Sequence, residues 1–165
     1  MQVIPNFIED RQVQEDIKNT LTKGRQIPYY YEDYVGDESD DSDFYFVHHL
    51  FHMDNNNMPV CSQMFTRILT PILGRLNFNY LMRTKINLYT KKSEFIQTKM
   101  HIDTDQPHMV GLYSINTNNG YTLFEDGTKV ESIENQMVIF DGSRKHCSVA
   151  QTDTHVRVNI NINFQ

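Results

Sequence analysis

Residues 156–164 alternate without a break. Val156, Val158, Ile160, Ile162 and Phe164 fall on one side, and Arg157, Asn159, Asn161 and Asn163 on the other. A period of two is that of a β-strand. The apolar set must bury against a core, and the polar set must look into a cavity or into solvent. Residues 81–89 follow the same rule, with Ile86 and Leu88 on one face and Lys85, Asn87 and Tyr89 on the other. If the two strands share a sheet, Tyr89, Asn87 and Arg157 share a polar concavity. Residues 108–115, 121–124 and 137–140 also read as strands, with Asn118-Asn119-Gly120 and Glu125-Asp126-Gly127 as turns between them. Short strands with regular turns predict a sandwich, a jelly roll or a barrel.

The first half has a different period. Ile8, Val13, Ile17 and Leu21 have helical spacing, and Lys23-Gly24 reads as the stop. Residues 44–51 form an aromatic, β-prone ribbon, and Asn55-Asn56-Asn57 a turn. Pro59 fits the first turn of a second helix running through Met64, Phe65, Ile68, Leu69 and Leu73 to Gly74, with a kink at Pro71. These helices are the expected cover for the apolar face of the last strand.

Composition narrows the class. A chain of 165 residues with 12% aromatic residues is large enough to bury a core and reads as one domain, 1–165. Its two cysteines, Cys61 and Cys147, have no paired spacing, which excludes a disulfide framework and a cysteine zinc finger. They fit a reducing cytosol, so a cytoplasmic location is expected. No signal peptide is visible, and no apolar run approaches the roughly 18 residues of a membrane span. The net charge is −6, which disfavours a nucleic-acid partner. Glu32, Asp33, Asp37, Glu38, Asp40, Asp41 and Asp43 crowd into one stretch. That run reads as a solvated loop or as a docking lip for a basic partner.

Candidate chemistry sits in the second half. His101-x-Asp103 places an imidazole and a carboxylate on one face of an extended segment, and His146 supplies a second imidazole. Two histidines and one carboxylate are the ligand set of a mononuclear Fe(II) site with open positions. Arg157 offers a fork that holds a carboxylate bidentately. The short motif alone is close to chance, and a second copy, His52-Met53-Asp54, has its own distal partners in His101 and His108. Context separates them. No Lys or Arg occurs between Ile102 and Thr128, so the second set lacks an anion-holding cation after its distal histidine. Blander readings stand beside these. Arg157 can be a sheet-surface cation, Tyr89 a core residue, and Cys147 a small buried hydrophobe. Asp105 is either an orienting partner of the ligands or a solvated loop acid.

These residues resemble the Fe(II)/2-oxoglutarate-dependent oxygenases. The pattern is Asn87-x-Tyr89, His101-x-Asp103, the run from Gly120 to Gly127, Phe140-Asp141-Gly142, His146 and Arg157. The spacing is most similar to the small prolyl-hydroxylase-like branch and covers residues 80–165. The resemblance implies a mainly β fold with N-terminal helices and a double-stranded β-helix, or jelly-roll, core at 81–165, residues 1–80 being helical support and ribbon. It implies that His101, Asp103 and His146 are the metal ligands and the catalytic centre. Arg157, Tyr89, Asn87 and Tyr113 would bind 2-oxoglutarate, with Thr122 a weaker candidate. Fe(II), 2-oxoglutarate and O2 are the implied cofactors, with ascorbate an optional addition. Lys145 and Lys85 stay open as helpers, because 11 residues between the distal histidine and the arginine is longer than in some close relatives. The expected activity is hydroxylation of a C–H bond, first of a prolyl residue in a peptide or protein. A free amino acid or small metabolite, or a non-catalytic metal-binding jelly-roll module, are the alternatives.

Overall fold

The computed structural model describes residues 1–23, 26–36, 38–39 and 42–165. Among these, the first half supplies strand β1 (Gln2–Ile4), helix α1 (Arg11–Thr22) and strands β2 (Tyr30–Glu32), β3 (Tyr45–Met53) and β4 (Pro59–Cys61). A helical segment follows, with α2 at Thr70–Leu73. The second half supplies β5 (Leu81–Thr90), β6 (Met109–Ser114), β7 (Asn118–Phe124), β8 (Lys129–Ser132), β9 (Gln136–Asp141), β10 (His146–Val149) and β11 (Val156–Phe164).

Helix α1 starts where Asp10 caps it, its carboxylate accepting from the backbone N–H groups of Gln12 and Val13. It buries Ile17 and Leu21, the positions its periodicity marked. Lys23 caps its end, and the expected stop at Gly24 lies outside the described residues.

The second helix differs from the expectation. Pro59 opens no helix; it lies on β4, which pairs with β3 through Met53 and Pro59. The hairpin is closed by Asp54, whose carboxylate accepts from Asn56 and Met58 N–H at 2.8 Å each, and by Asn57 in the left-handed region. β4 pairs only with β3, so a residue without an N–H is tolerated there. The helical segment begins at Phe65 as a wide π-turn through Leu69 and continues as α2. The cause is Pro71, which has no N–H for the carbonyl four residues back.

The strands form two antiparallel sheets among the described residues. The larger runs β1-β9-β6-β11-β5-β3-β2, with β4 on β3; the smaller runs β10-β7-β8. This is a jelly-roll arrangement, and strands from the first eighty residues extend the same sheet as β5 and β11. On the outer face of the large sheet, Ile86, Val158, Ile160 and Ile162 pack with Ile17, Leu21, Ile68, Leu69 and Ile72. Between the sheets lies a smaller apolar cluster of Val110, Phe124, Val130, Val138 and Phe140. The run Asn118-Asn119-Gly120, read above as a turn, lies in β7. There Asn118 accepts from Gly120 N–H at 3.0 Å and the register to β8 is irregular. Gly120 approaches β10 so closely that a β-carbon would stand 2.9 Å from the Val149 carbonyl oxygen.

Candidate metal and acid-binding site

β11 decides where the chemistry sits. Both of its faces are buried, and the polar face looks into the space between the sheets. Its register on β5 pairs Arg157 with Tyr89, Asn159 with Asn87, Asn161 with Lys85 and Asn163 with Arg83. The first three of these polar ranks line one channel. From the Arg157 rank to the Asn161 rank is about 13 Å along the strand.

One end of the channel is a ligand cluster. His101, Asp103 and His146 each offer an atom within 4.8 Å of the others. His101 and His146 form an isolated antiparallel bridge, bonded through both backbone N–H groups at 2.9 and 3.0 Å. Each ring donates from Nδ1 to the carbonyl two residues before it, His101 to Lys99 and His146 to Arg144, both at 3.1 Å. That fixes the tautomer and leaves each Nε2 with a lone pair. Phe140 packs edge-on against His146 at 5.1 Å between centroids.

Asp103 is gripped from β11. Asn161 and Asn163 both donate to its Oδ2 at 3.0 Å, and Arg83 stands 3.4 Å from Oδ1. Burial alone would raise this carboxyl. Lys85, Arg83, His146 and the Asn161 hydrogen bond outweigh it and hold it well below the usual range. The donor set is thus two imidazole Nε2 atoms and an ionised carboxylate, which fits a divalent metal such as Fe(II).

The other end is a buried cation. Arg157 is 2% exposed. Its NH1 donates to Ser148 Oγ at 2.9 Å and to the Val149 carbonyl at 3.0 Å, and its guanidinium lies 5.4 Å from the Tyr89 ring. Nε is buried without a partner, and no described carboxylate pairs with this side chain. Burial pushes the Tyr89 hydroxyl up to about 12, so it stays protonated as a donor. Between the two ends, Asn87 donates to Asn159 at 2.9 Å, and the Oδ1 atoms of Asn87 and Asn161 are buried and unpaired. An isolated buried cation is costly, and no described carboxylate offsets this one.

The structure brings His101, Asp103, His146, Arg157, Tyr89, Asn87 and Thr122 around one cavity. It does not bring Tyr113 there. On β6 the inward parity belongs to Leu112, and Tyr113 points into the outer core, where its hydroxyl donates to Asn135 at 2.9 Å and its ring meets Phe7. Of the two lysines left open as helpers, Lys85 lines the cavity and Lys145 does not. Asp105 is exposed, away from the ligands. The second His-x-Asp holds no cluster among the described residues, because Asp54 is spent on the hairpin turn.

Several lining residues were not singled out. Asn161 and Ser148 line the cavity and Asn163 reaches it through Asp103; the asparagines carry the parity of Arg157 and Ser148 that of His146, so alternation could have found all three. Gly36 could not be found that way. With φ +81° it crosses over His101, and a β-carbon on it would stand 2.4 Å from the ring.

No protein-family model matches the sequence, and no curated protein matches it by sequence. Solved structures do match. An oxidoreductase of the 2OG-Fe(II) oxygenase family from Burkholderia pseudomallei is 14% identical, with a TM-score of 0.66 over 98% of this chain and 84% of that one. The fold is that of the 2-oxoglutarate/Fe(II) oxygenases. A viral collagen prolyl hydroxylase from Paramecium bursaria Chlorella virus-1, solved with 2-oxoglutarate, is 12% identical with a TM-score of 0.59, over 98% of this chain and 93% of that one. A Trichoplax adhaerens prolyl hydroxylase, solved with a hypoxia-inducible-factor peptide, is 15% identical with a TM-score of 0.54, over 99% and 82%.

Proposed function

We propose that this protein is an Fe(II)- and 2-oxoglutarate-dependent dioxygenase that hydroxylates a C–H bond, first of a prolyl residue in a peptide or protein. One observation carries the reading. A metal-ligand triad and a buried arginine without a carboxylate partner stand at opposite ends of one polar channel. A structural metal site would need no such cation. Fe(II), 2-oxoglutarate and O2, when bound, supply an oxidation in which the keto acid becomes succinate and CO2 and one oxygen atom enters the substrate.

The chain's own residues do the rest. His101, Asp103 and His146 hold the metal. Arg157, with Tyr89 beside it, holds the far carboxylate of the co-substrate, and Asn87 lines the channel between the two ends. Val35, Tyr45, Val47 and Tyr89 form a small apolar cluster that keeps water from this side of the channel. The fold shared with peptide-acting prolyl hydroxylases supports the choice of substrate.

The test is succinate release from 2-oxoglutarate under air, with Fe(II), in wild type and His146→Ala. The wild type is expected to form succinate, and the variant to lose it while its far-ultraviolet circular dichroism is unchanged. Full activity in a folded His146→Ala would reject the assignment.

A further inference from the structure

A second cavity opens on the outer side of the triad. It shares Gly36, Tyr45, Lys85, His101 and Asp103 with the channel and adds Glu32, Tyr34, His49 and Arg83. Arg157 is not part of it. Arg83 lines this cavity and not the channel, and Lys85 stands at the boundary of the two, so both lie at the triad end of β5 and away from the Arg157–Tyr89 rank assigned to 2-oxoglutarate.

Both cations are held in place rather than free to sway. Arg83 donates from Nε to Asn163 Oδ1 at 3.1 Å, and Lys85 donates to the Tyr45 hydroxyl at 3.2 Å. Tyr45 is itself fixed by stacking on Tyr89 at 5.5 Å. Lys85 and Arg83 share a face two residues apart on β5, so both project toward the same space.

The charges decide what this cavity takes. Among the described residues that line it, Arg83 and Lys85 are balanced by Asp103 and Glu32. A divalent metal held by Asp103 draws on that carboxylate. The four side chains cancel, the metal adds two positive charges and the metal-bound carboxylate of 2-oxoglutarate removes one, so the cavity keeps a net charge of about +1. A neutral substrate would leave that field unanswered in a partly buried setting.

We infer that this cavity is the substrate side of the site, and that Arg83 and Lys85 receive a carboxylate of the substrate. The inference rests on the oxygenase reading and names its substrate class, an acid. The carboxylate can be an acidic side chain next to the hydroxylated residue of a peptide, or the α-carboxylate of a free amino acid. Arg83 suits it with a planar fork and Lys85 with a point charge.

Calorimetry on the full chain loaded with Zn(II), saturated with 2-oxoglutarate, tests this without turnover. The probes are capped proline peptides with glutamate or glutamine on either side of the proline, and L-proline against L-prolinamide. The acid member of at least one pair is expected to bind about tenfold tighter than its amide, as a charge-assisted hydrogen bond allows. Preference in the peptide pairs assigns a side chain as the source; preference in the amino-acid pair assigns the α-carboxylate. Arg83→Gln is expected to bring the ratio to within about twofold of one. Because Arg83 also touches Asp103, Lys85→Met is measured beside it, and each variant is first titrated with Zn(II). Metal binding with equal affinity for acid and amide in every pair overturns the inference alone. Failure of the wild type to bind metal overturns the oxygenase reading and the inference with it.

Discussion

At the scale of single residues, the grip on Asp103 is the most exacting feature. Two amides from β11 donate to one carboxylate oxygen, and Arg83 stands 3.4 Å from the other. Such outer partners typically set about 10- to 100-fold in metal affinity. Asn161→Ala and Asn163→Ala are each expected to weaken Fe(II) binding by about that factor, read by anaerobic titration, while the protein stays folded. Arg157→Gln should act on a different quantity. The 2-oxoglutarate concentration for half-maximal succinate formation should rise by at least about tenfold, the worth of a lost charge-assisted hydrogen bond. An unchanged dependence would remove Arg157 from that role. Gly36→Val places a branched side chain where the His101 ring lies, at a backbone angle that suits glycine. Loss of metal binding with retained secondary structure is expected there. These three sites were legible to different degrees. The ligands announced themselves by residue type, and the two asparagines by parity with Arg157. Gly36 gave no signal, because its contact with His101 comes from a loop crossing that no local pattern encodes.

At the scale of elements, β11 joins stability to chemistry. Its odd-numbered positions build the site and its even-numbered ones the outer core, with Ile160 wholly buried. Ile160→Ala should therefore cost about 2–5 kcal/mol, the usual range for a buried large-to-alanine change. Chemical denaturation measures it; a loss below about 0.5 kcal/mol, typical of surface changes, would contradict the packing described. Strands with strict alternation, β5 and β11 above all, were readable because two environments impose a period of two. β10 was not, being four residues long and half occupied by His146 and its neighbour. The second helix was misread at its start because proline suits both a first helical turn and an edge strand. Only the pairing of Pro59 with Met53 chose between them.

At the scale of the molecule, the ligand cluster and the main core are on opposite faces of the large sheet. The apolar packing of α1, the π-turn and α2 on that sheet does not pass through the metal. Removing metal with a chelator should leave the fold intact, with far-ultraviolet circular dichroism unchanged; unfolding on chelation would instead mark a structural metal. The sequence by itself determined the residue types of the candidate ligand set, the arginine on the polar face of β11 and the β character of the second half. These follow from side-chain chemistry and from local periodicity, which act over a few residues. Only the tertiary structure decided that Tyr113 faces the core, that Asn161 and Asn163 hold Asp103, and that Arg83 and Lys85 stand apart from Arg157. Those outcomes depend on strand register and on which sheet covers which face, and both are set by packing between segments distant in the chain.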